Sequence, residues 1–184
     1  MLAVLIAERF LRKMPIKKLT TFVVSVGGVG FLPFMPGTWG SLVSIPLGAY
    51  LISCGSAVFF SVFFAIALGG WFFAKLYLEQ NPEKSDPSEV VIDEVVGQLL
   101  ALSPLLGSTF FVSSFDYWFV VVAFISFRIF DIFKPWPVSW ADQLEGGPAK
   151  SALGIILDDI FAGGYGALTL IATILLVLRF DFIK

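Results

Sequence analysis

The sequence predicts an all-α, polytopic integral membrane protein forming a single domain over residues 1–184, with helical hairpins followed by a final span. Four or five membrane helices, some of them short, are expected. One reason is composition: 58% of the residues are hydrophobic and 14% are charged, whereas soluble domains average about 45–50% apolar and about 25% charged residues. The other is three long apolar runs, at 58–78, 110–127 and 163–180. Each has the roughly 18–20 residues that a helix needs to cross a bilayer.

Residues 1–20 are predicted to form a basic amphipathic segment. Their apolar residues precede most of their basic ones, the reverse of the order in a signal peptide, so we expect the segment to be retained. A short helix lying on an anionic membrane surface fits this pattern, and a solvated basic end is the alternative. The basic residues are Arg9, Arg12, Lys13, Lys17 and Lys18.

Two shorter apolar runs, 41–53 and 95–106, precede the first two long runs. Each either crosses the bilayer at a tilt or enters it and turns back, because its length fits both arrangements. In either case the chain returns to the face it left, so segments 27–41, 79–94 and 128–162 are predicted to share one face. Most Lys and Arg residues lie in these segments and in the N-terminal segment, which places this face in the cytoplasm.

The residues that are missing narrow the chemistry. Histidine is absent and Cys54 is the only cysteine, which excludes an intrachain disulfide, a Cys and His zinc site, and any catalysis that uses an imidazole. The net charge of −2 and the lack of a long basic tract argue against nucleic-acid binding. What remains is the chemistry of carboxylates, Lys, Arg and hydroxyl groups.

The stretch SDPSEVVIDEVVGQLL carries four acidic residues at the edge of an apolar run. Asp86 is predicted to cap a helix whose first residue is Pro87, with Glu89 completing a capping box. Asp93 and Glu94 would then lie two turns in, beyond the stabilising end of the helix dipole. A carboxylate entering the bilayer is costly, and a metal or a substrate would explain it. Glu89 and Asp93 are four residues apart and would share a helical face as two ligands of one cation.

In FRIFDIFKPWP, Arg128, Asp131 and Lys134 recur at every third residue where a span ends. On a helix they would form one charged stripe, and Pro135 and Pro137 would terminate that helix. The stripe is either a salt-bridged helix end at the membrane interface or a phosphate site. In the second case Arg128 binds phosphate oxygens bidentately and Lys134 acts as a point charge.

The adjacent pair Asp158 and Asp159 stands in the otherwise apolar stretch SALGIILDDIFAGGYGALTL. Neighbouring helical residues point about 100° apart, so one can bind a metal while the other supports it. A structural pair of acids at the start of a span is the alternative.

The loop GGVGFLPFMPGTWGS is rich in turn-forming residues, with a tight turn expected at Pro36 and Gly37. Thr38 or Ser41 can cap the helix that follows. The glycines allow backbone amides to approach a phosphate, and a packing corner built on Trp39 explains the same residues.

Four motifs in this order, GFLPFMPGTWGS, VVIDEVVGQLLAL, FRIFDIFKPWPVSWAD and GIILDDIFAGGYGAL, resemble the phosphatidylglycerophosphatase A family over residues 27–167. The resemblance implies a bacterial inner-membrane enzyme that hydrolyses phosphatidylglycerol phosphate to phosphatidylglycerol and inorganic phosphate. It also implies magnesium dependence, an all-helical fold and an active site facing the cytoplasm. The positions that match the family's motifs are Thr38, Asp93, Glu94, Asp131, Lys134, Asp158 and Asp159.

The residues and the resemblance together predict phosphomonoester hydrolysis by electrostatic catalysis with Mg²⁺. The nucleophile is either a water or Asp131, through an aspartyl phosphate, and the sequence fixes neither this choice nor the number of metal ions. The predicted metal ligands are Glu89, Asp93, Glu94, Asp158 and Asp159. The predicted catalytic residues are Asp93, Glu94, Asp131, Asp158 and Asp159, and the predicted substrate-binding residues are Arg128, Lys134 and Thr38.

Two functions of other classes compete with this hypothesis. A small transporter or channel with an acidic ion site would also combine intramembrane acids with helices interrupted by Gly and Pro. It predicts acids spread through the spans, whereas the long runs hold only Asp116. A membrane scaffold would need no Mg²⁺. The predicted partners are therefore the lipid bilayer and phosphatidylglycerol phosphate.

Overall fold

The computed structural model describes residues 15–84, 87–106 and 117–181, and every regular element within these ranges is a helix. The predicted all-α class is confirmed for this part of the chain. Short 3₁₀ turns occur at Val29–Phe31 and Ser103–Leu105. The helices are α1 (Ile16–Val24), α2 (Pro36–Ser53), α3 (Ser56–Gln80), α4 (Ile92–Leu102), α5 (Tyr117–Phe133), α6 (Val138–Asp142) and α7 (Pro148–Asp181).

The long helix α7 is the centre of the fold, because α3, α4, α5 and α6 all pack against it. The core between these helices is formed by side chains with no exposed surface, among them Leu99 of α4, Phe127 of α5, and Ala162 and Leu170 of α7. Where these apolar side chains would otherwise be exposed to water, their burial is the main favourable contribution to helix packing.

Helices α4 and α7 cross at a pair of glycines. A Cβ atom at Gly163 would overlap the carbonyl oxygen of Gly97. A Cβ atom at Gly97 would overlap the Phe127 ring and lie 2.7 Å from the backbone carbonyl oxygen of Asp159. Small residues allow two helix backbones to approach this closely. The crossing has a direct effect on the site, because Glu94 and Asp159 each lie one turn before a crossing glycine.

Two helices, α3 and the Pro148–Arg179 part of α7, are long and apolar enough to cross a membrane. Both expose large apolar side chains, among them Phe64 and Leu68 on α3 and Leu168 and Leu175 on α7. The predicted run 58–78 lies within α3, and the run 163–180 forms the second half of α7.

The other predicted membrane runs are less simple. Residues 107–116 lie outside the described residues, so the run 110–127 is seen only where α5 begins at Tyr117. Helix α2 continues through Pro46 to Ser53. The 11 residues of α4 rise only about 17 Å, roughly half of the hydrocarbon thickness. As a single helix, α4 is therefore shorter than the full thickness of the hydrocarbon core.

The start of α4 differs from the prediction. The helix begins at Ile92 instead of Pro87, because Val90 donates its N–H to Pro87 O at 2.9 Å in a turn and Val91 donates to Val24 O at 2.9 Å. These bonds commit the backbone to a turn docked on the end of α1. Glu89 and Asp93 therefore do not share a helix, and Asp93 and Glu94 lie in its first turn, where the helix dipole favours acids. The predicted cap, Asp86, lies outside the described residues.

The end of α5 also departs from a simple helix. The helix stops at Phe133, and Lys134 adopts a left-handed conformation with φ of 44° while its N–H bonds Phe130 O at 3.0 Å. A residue in this conformation ends a helix. Lys134 consequently leaves the predicted stripe, and only Arg128 and Asp131 share a face of α5.

Candidate active site

The cytoplasmic-face segments predicted from the sequence meet around a polar cavity of about 250 Å³. The cavity lies where α4, α5 and α7 come together with the start of α2 and with α6. Seven carboxylates but only two basic side chains line it in the described part of the chain. They are Asp93, Glu94, Asp131, Asp142, Glu145, Asp158 and Asp159, with Arg128 and Lys134.

Three carboxylates from three helices form the tightest part of the cavity. Glu94, Asp131 and Asp159 each place one oxygen within 4.8 Å of the other two. Glu94 and Asp159 are buried, and Asp159 Oδ2 has no hydrogen-bond donor within the described residues. Carboxylates this close repel one another, and a buried charge needs a partner. The arrangement fits a hard cation that takes oxygen ligands, such as Mg²⁺.

Within the described residues, Arg128 is the one guanidinium that contacts this carboxylate group. Its Nη1 forms ion pairs with Glu94 and with Asp131 Oδ2, the second at 3.1 Å, and lies 3.4 Å from Ser41 Oγ. Its Nε is buried without a partner among the described residues. Arg128 therefore offsets part of the local negative charge and keeps an N–H available for another acceptor.

The start of α2 holds Glu94 from the other side. Ser41 Oγ donates to Glu94 Oε2 at 2.9 Å, with Gly37 O as an alternative acceptor at the same distance. A Cβ atom at Gly37 would overlap Glu94 Oε1, so a larger residue here would displace the Glu94 carboxylate from its present position. From the sequence, Ser41 was predicted only as a cap and Gly37 only as a turn residue, because nothing local links either of them to an acid more than 50 residues away.

Lys134 organises a second group of carboxylates in the same cavity. Its Nζ lies 2.9 Å from Asp158 Oδ2 and also forms an ion pair with Asp142. Burial alone would lower the pKa of Lys134, but the hydrogen bond to Asp142 and the charge of Asp158 raise it above its ordinary value. Asp158 Oδ1 in turn accepts the N–H of Asp159 at 3.0 Å. Asp142 was not among the predicted site residues, although it belongs to the same acidic face.

The remaining predicted residues have different positions. Asp93 lines the cavity. Glu89 does not: its Oε1 accepts hydrogen bonds from Tyr77 and Lys84. Burial acts to raise the pKa of Glu89, but these two bonds hold it below its ordinary value. Thr38 follows the cavity residue Gly37 without lining the cavity, and its hydroxyl is buried without a partner among the described residues.

The sequence model of the phosphatidylglycerophosphatase A family matches residues 22–174, which is most of the chain. The chain belongs to this family. The resemblance seen in the four motifs is thereby confirmed, and the phosphatidylglycerophosphatase A assignment makes the protein a phosphatase, that is, a phosphoric monoester hydrolase of phospholipid metabolism. All four motifs contribute residues to the acidic cavity.

Several curated relatives support the assignment. A Haemophilus influenzae protein named phosphatidylglycerophosphatase A is 32% identical over 86% of this chain and 93% of its own. The Escherichia coli protein of that name is 34% identical over 77% and 76%, respectively. A Bacteroides thetaiotaomicron protein provisionally named phosphatidylinositol-3-phosphatase is 37% identical over 75% and 82%. No solved structure is a significant match.

Proposed function

We propose that the protein is a Mg²⁺-dependent enzyme that hydrolyses phosphatidylglycerol phosphate to phosphatidylglycerol and inorganic phosphate at the cytoplasmic face of a bacterial inner membrane. The observation that carries the proposal is the group formed by Glu94, Asp131 and Asp159, three clustered carboxylates with an all-oxygen donor set in a family of phosphatases. The same observation and the family favour an enzyme over a transporter or a scaffold.

The dimensions of α7 support a membrane location. From Asp159 to Arg179 an α-helix rises about 30 Å, which matches the thickness of the hydrocarbon core. The residues between them carry no charge, and many of their large apolar side chains are exposed. With Arg179 at one interface, the acidic cavity lies at the other, where a lipid headgroup is accessible.

Glu94, Asp131 and Asp159 are the proposed metal ligands. Compared with the ligands predicted from the sequence, this set adds Asp131 and omits Glu89, Asp93 and Asp158. A bound Mg²⁺ supplies positive charge that offsets the charge of the phosphoryl oxygens as they approach the transition state. Arg128 is proposed to bind phosphate oxygens with the N–H groups that its ion pairs leave available. Lys134, held by Asp142 and Asp158, provides a second positive charge at the cavity wall.

Asp93 and Asp158 are the proposed proton-transfer groups, because both line the cavity outside the ligand group. In hydrolysis the water oxygen bonds to phosphorus while the bond from phosphorus to the glycerol oxygen breaks. One carboxylate accepts a proton from the water, and the other group, in its protonated carboxyl form, donates a proton to the glycerol oxygen, which leaves as the neutral alcohol. The Asp93→Asn and Asp158→Asn variants assign the roles: the general base is the one whose loss removes the acidic limb of the pH–rate profile.

Water is the proposed nucleophile in preference to Asp131. Asp131 Oδ2 is in an ion pair with Arg128 and belongs to the ligand group, and both uses withdraw its lone pairs from phosphorus. Acid quenching of a reaction with phosphate-labelled substrate should therefore leave no label on the protein. Covalent label that disappears in Asp131→Asn would overturn this choice.

The function is tested with purified protein in detergent micelles and phosphatidylglycerol phosphate as substrate. Phosphate release is expected with Mg²⁺, none after chelation, and none from Asp159→Asn, whereas Glu83→Gln, an exposed acid outside the cavity, is the matched control. Phosphatidylinositol 3-phosphate is the competing substrate because one relative carries that name. A higher kcat/KM for this lipid, or release that does not depend on metal, would contradict the proposal.

A further inference from the structure

A second cavity, an open groove of about 450 Å³, lies along α1 and the turn that follows it. Its lining includes Lys17, Lys18, Phe22, Gly28 and Phe31, none of which lines the acidic cavity. The groove belongs to the part of the chain whose glycines were considered as a phosphate loop. The structure places Gly27 and Gly28 here, whereas Gly37 of the same loop lines the acidic cavity.

The groove exists because the chain reverses directly after α1. Gly27 N–H bonds Phe22 O at 2.8 Å, and Gly28 adopts φ of 100°, a conformation that favours glycine. Phe31 N–H then bonds Gly28 O at 3.0 Å. This turn brings Phe31 back so that its ring and that of Phe22 both line the groove.

The groove combines an apolar surface with available positive charge. Phe22 is 43% exposed and Phe31 is 60% exposed. Lys17 and Lys18 are exposed, and neither has an acidic partner within the described residues. This differs from Lys134, which is held by two carboxylates.

The groove is connected to the acidic cavity along the chain. Phe31 is followed by Leu32, Phe34 and Met35, whose side chains are all exposed. The next two residues, Pro36 and Gly37, line the acidic cavity. Exposed apolar side chains therefore occupy most of the segment between the two cavities.

We propose that this groove binds one anionic glycerophospholipid, with its phosphate group between Lys17 and Lys18 and an acyl chain along Phe22 and Phe31. The lysines attract anionic headgroups, and the aromatic rings gain from contact with acyl chains. A water-soluble phosphate would leave the aromatic surface unfilled, and a zwitterionic lipid would leave the lysine charge unmatched. This proposal rests on the proposed function in one respect: the groove would bind lipids of the same charge class as the proposed substrate.

The test uses the full chain in phosphatidylcholine nanodiscs that contain phosphatidylglycerol with a photoactivatable diazirine in its acyl chain. Label is expected on the peptide that spans residues 22–31. Lys17→Ala/Lys18→Ala should lower this labelling about tenfold, and Lys17→Arg/Lys18→Arg should restore it. Lys150→Ala, which removes an exposed lysine elsewhere, is the control and should label like the unaltered protein.

Three results would overturn the proposal. The first is equal labelling of residues 22–31 by a diazirine phosphatidylcholine, and the second is labelling that Lys17→Ala/Lys18→Ala leaves unchanged. The third is absence of lipid label there in the full chain, with cross-links from residues 1–14 in its place. Because labelling requires no hydrolysis, the Asp159→Asn variant should label normally. A failure of the groove is thereby distinguished from a failure of the proposed reaction.

Discussion

Glu89 and Glu94 are five residues apart, and both contact a basic side chain, yet their surroundings differ in charge balance. Glu89 has Lys84 as its own cation and Tyr77 as a further donor. Glu94 shares Arg128 with Asp131 and lies within 4.8 Å of a ligand oxygen of Asp159. Around Glu89 the charges are matched, whereas around Glu94 three carboxylates share one guanidinium.

This difference separates a structural acid from a functional one better than burial or sequence position does. A carboxylate with its own cation and donors is satisfied and has no need of a ligand. Clustered carboxylates that exceed their cations raise the energy of the folded protein until a metal binds. Charge excess is therefore the physical signature of the proposed site, and four variants test it.

The largest effect is expected for Asp159→Asn. The change removes one charge from the ligand group at the most buried of its three members, so Mg²⁺ binding should fail and kcat should fall by about 10³-fold or more. Phosphate release measures the activity, and calorimetric titration with Mg²⁺ measures binding. Normal Mg²⁺ affinity in this variant would show that the metal binds at another place.

Arg128→Lys should follow, with a loss of about 10²-fold in kcat/KM. The variant keeps the charge but loses the planar set of donors that contacts Glu94, Asp131 and Ser41. If Arg128 also binds phosphate, the KM for the lipid should rise. A change confined to thermal stability would reduce Arg128 to a structural counter-ion.

Ser41→Ala is expected to lower activity by about 10- to 100-fold, the usual range for a residue that orients a metal ligand. The hydroxyl donates to Glu94 Oε2 at 2.9 Å, and its loss leaves Arg128 as the remaining contact that orients that carboxylate within the described residues. The loss should appear as weaker Mg²⁺ binding, so that a higher Mg²⁺ concentration is needed for the half-maximal rate. Ser41→Thr keeps a hydroxyl group and should retain most of the activity. An unchanged Mg²⁺ requirement would contradict the positioning role.

The smallest effect on activity is expected for Glu89→Gln, which should remain within a few-fold of the unaltered rate while its Tm falls. Because the folded-state pKa of Glu89 lies below its ordinary value of 4.5, the stabilisation is present above that pH and is lost as the pH falls through the lower, folded pKa. Thermal unfolding measured from pH 7 downward should therefore show a difference from the unaltered protein that is full at pH 7 and shrinks as the pH falls below 4.5. A large loss of activity would place Glu89 in the site after all.

The sequence alone indicated most of the acidic residues of the site, but it did not separate the residues of the proposed ligand group from the structural ones. Runs of apolar residues and the four motifs were enough to predict helices, the family and an acidic face. The predicted start of α4 at Pro87 was wrong because the hydrogen bond from Val91 N–H to Val24 O is a tertiary contact, and it overrides the local capping pattern. Lys134 was assigned to a helical stripe because a left-handed residue at that position is not encoded by spacing.

Partners distant in the chain were the harder part. Ser41 and Glu94 are 53 residues apart, and Lys134 meets Asp142 only because α6 folds back beside α7. Both contacts depend on how helices pack, which hydrophobic periodicity does not specify. Charge balance around each acid could be evaluated only after these contacts were known.

The glycine crossing of α4 and α7 lets the backbone set the distance between two of the proposed metal ligands. With Gly97 and Gly163 in main-chain contact, the spacing between Glu94 and Asp159 is fixed by two rigid helices one turn away, with little left to rotamer choice. Mg²⁺ requires ligand distances of about 2.0–2.1 Å and Ca²⁺ accepts about 2.3–2.6 Å. A methyl group at either glycine would widen this spacing, so we expect Gly97→Ala or Gly163→Ala to change which cation the proposed site prefers, although neither residue is a proposed ligand.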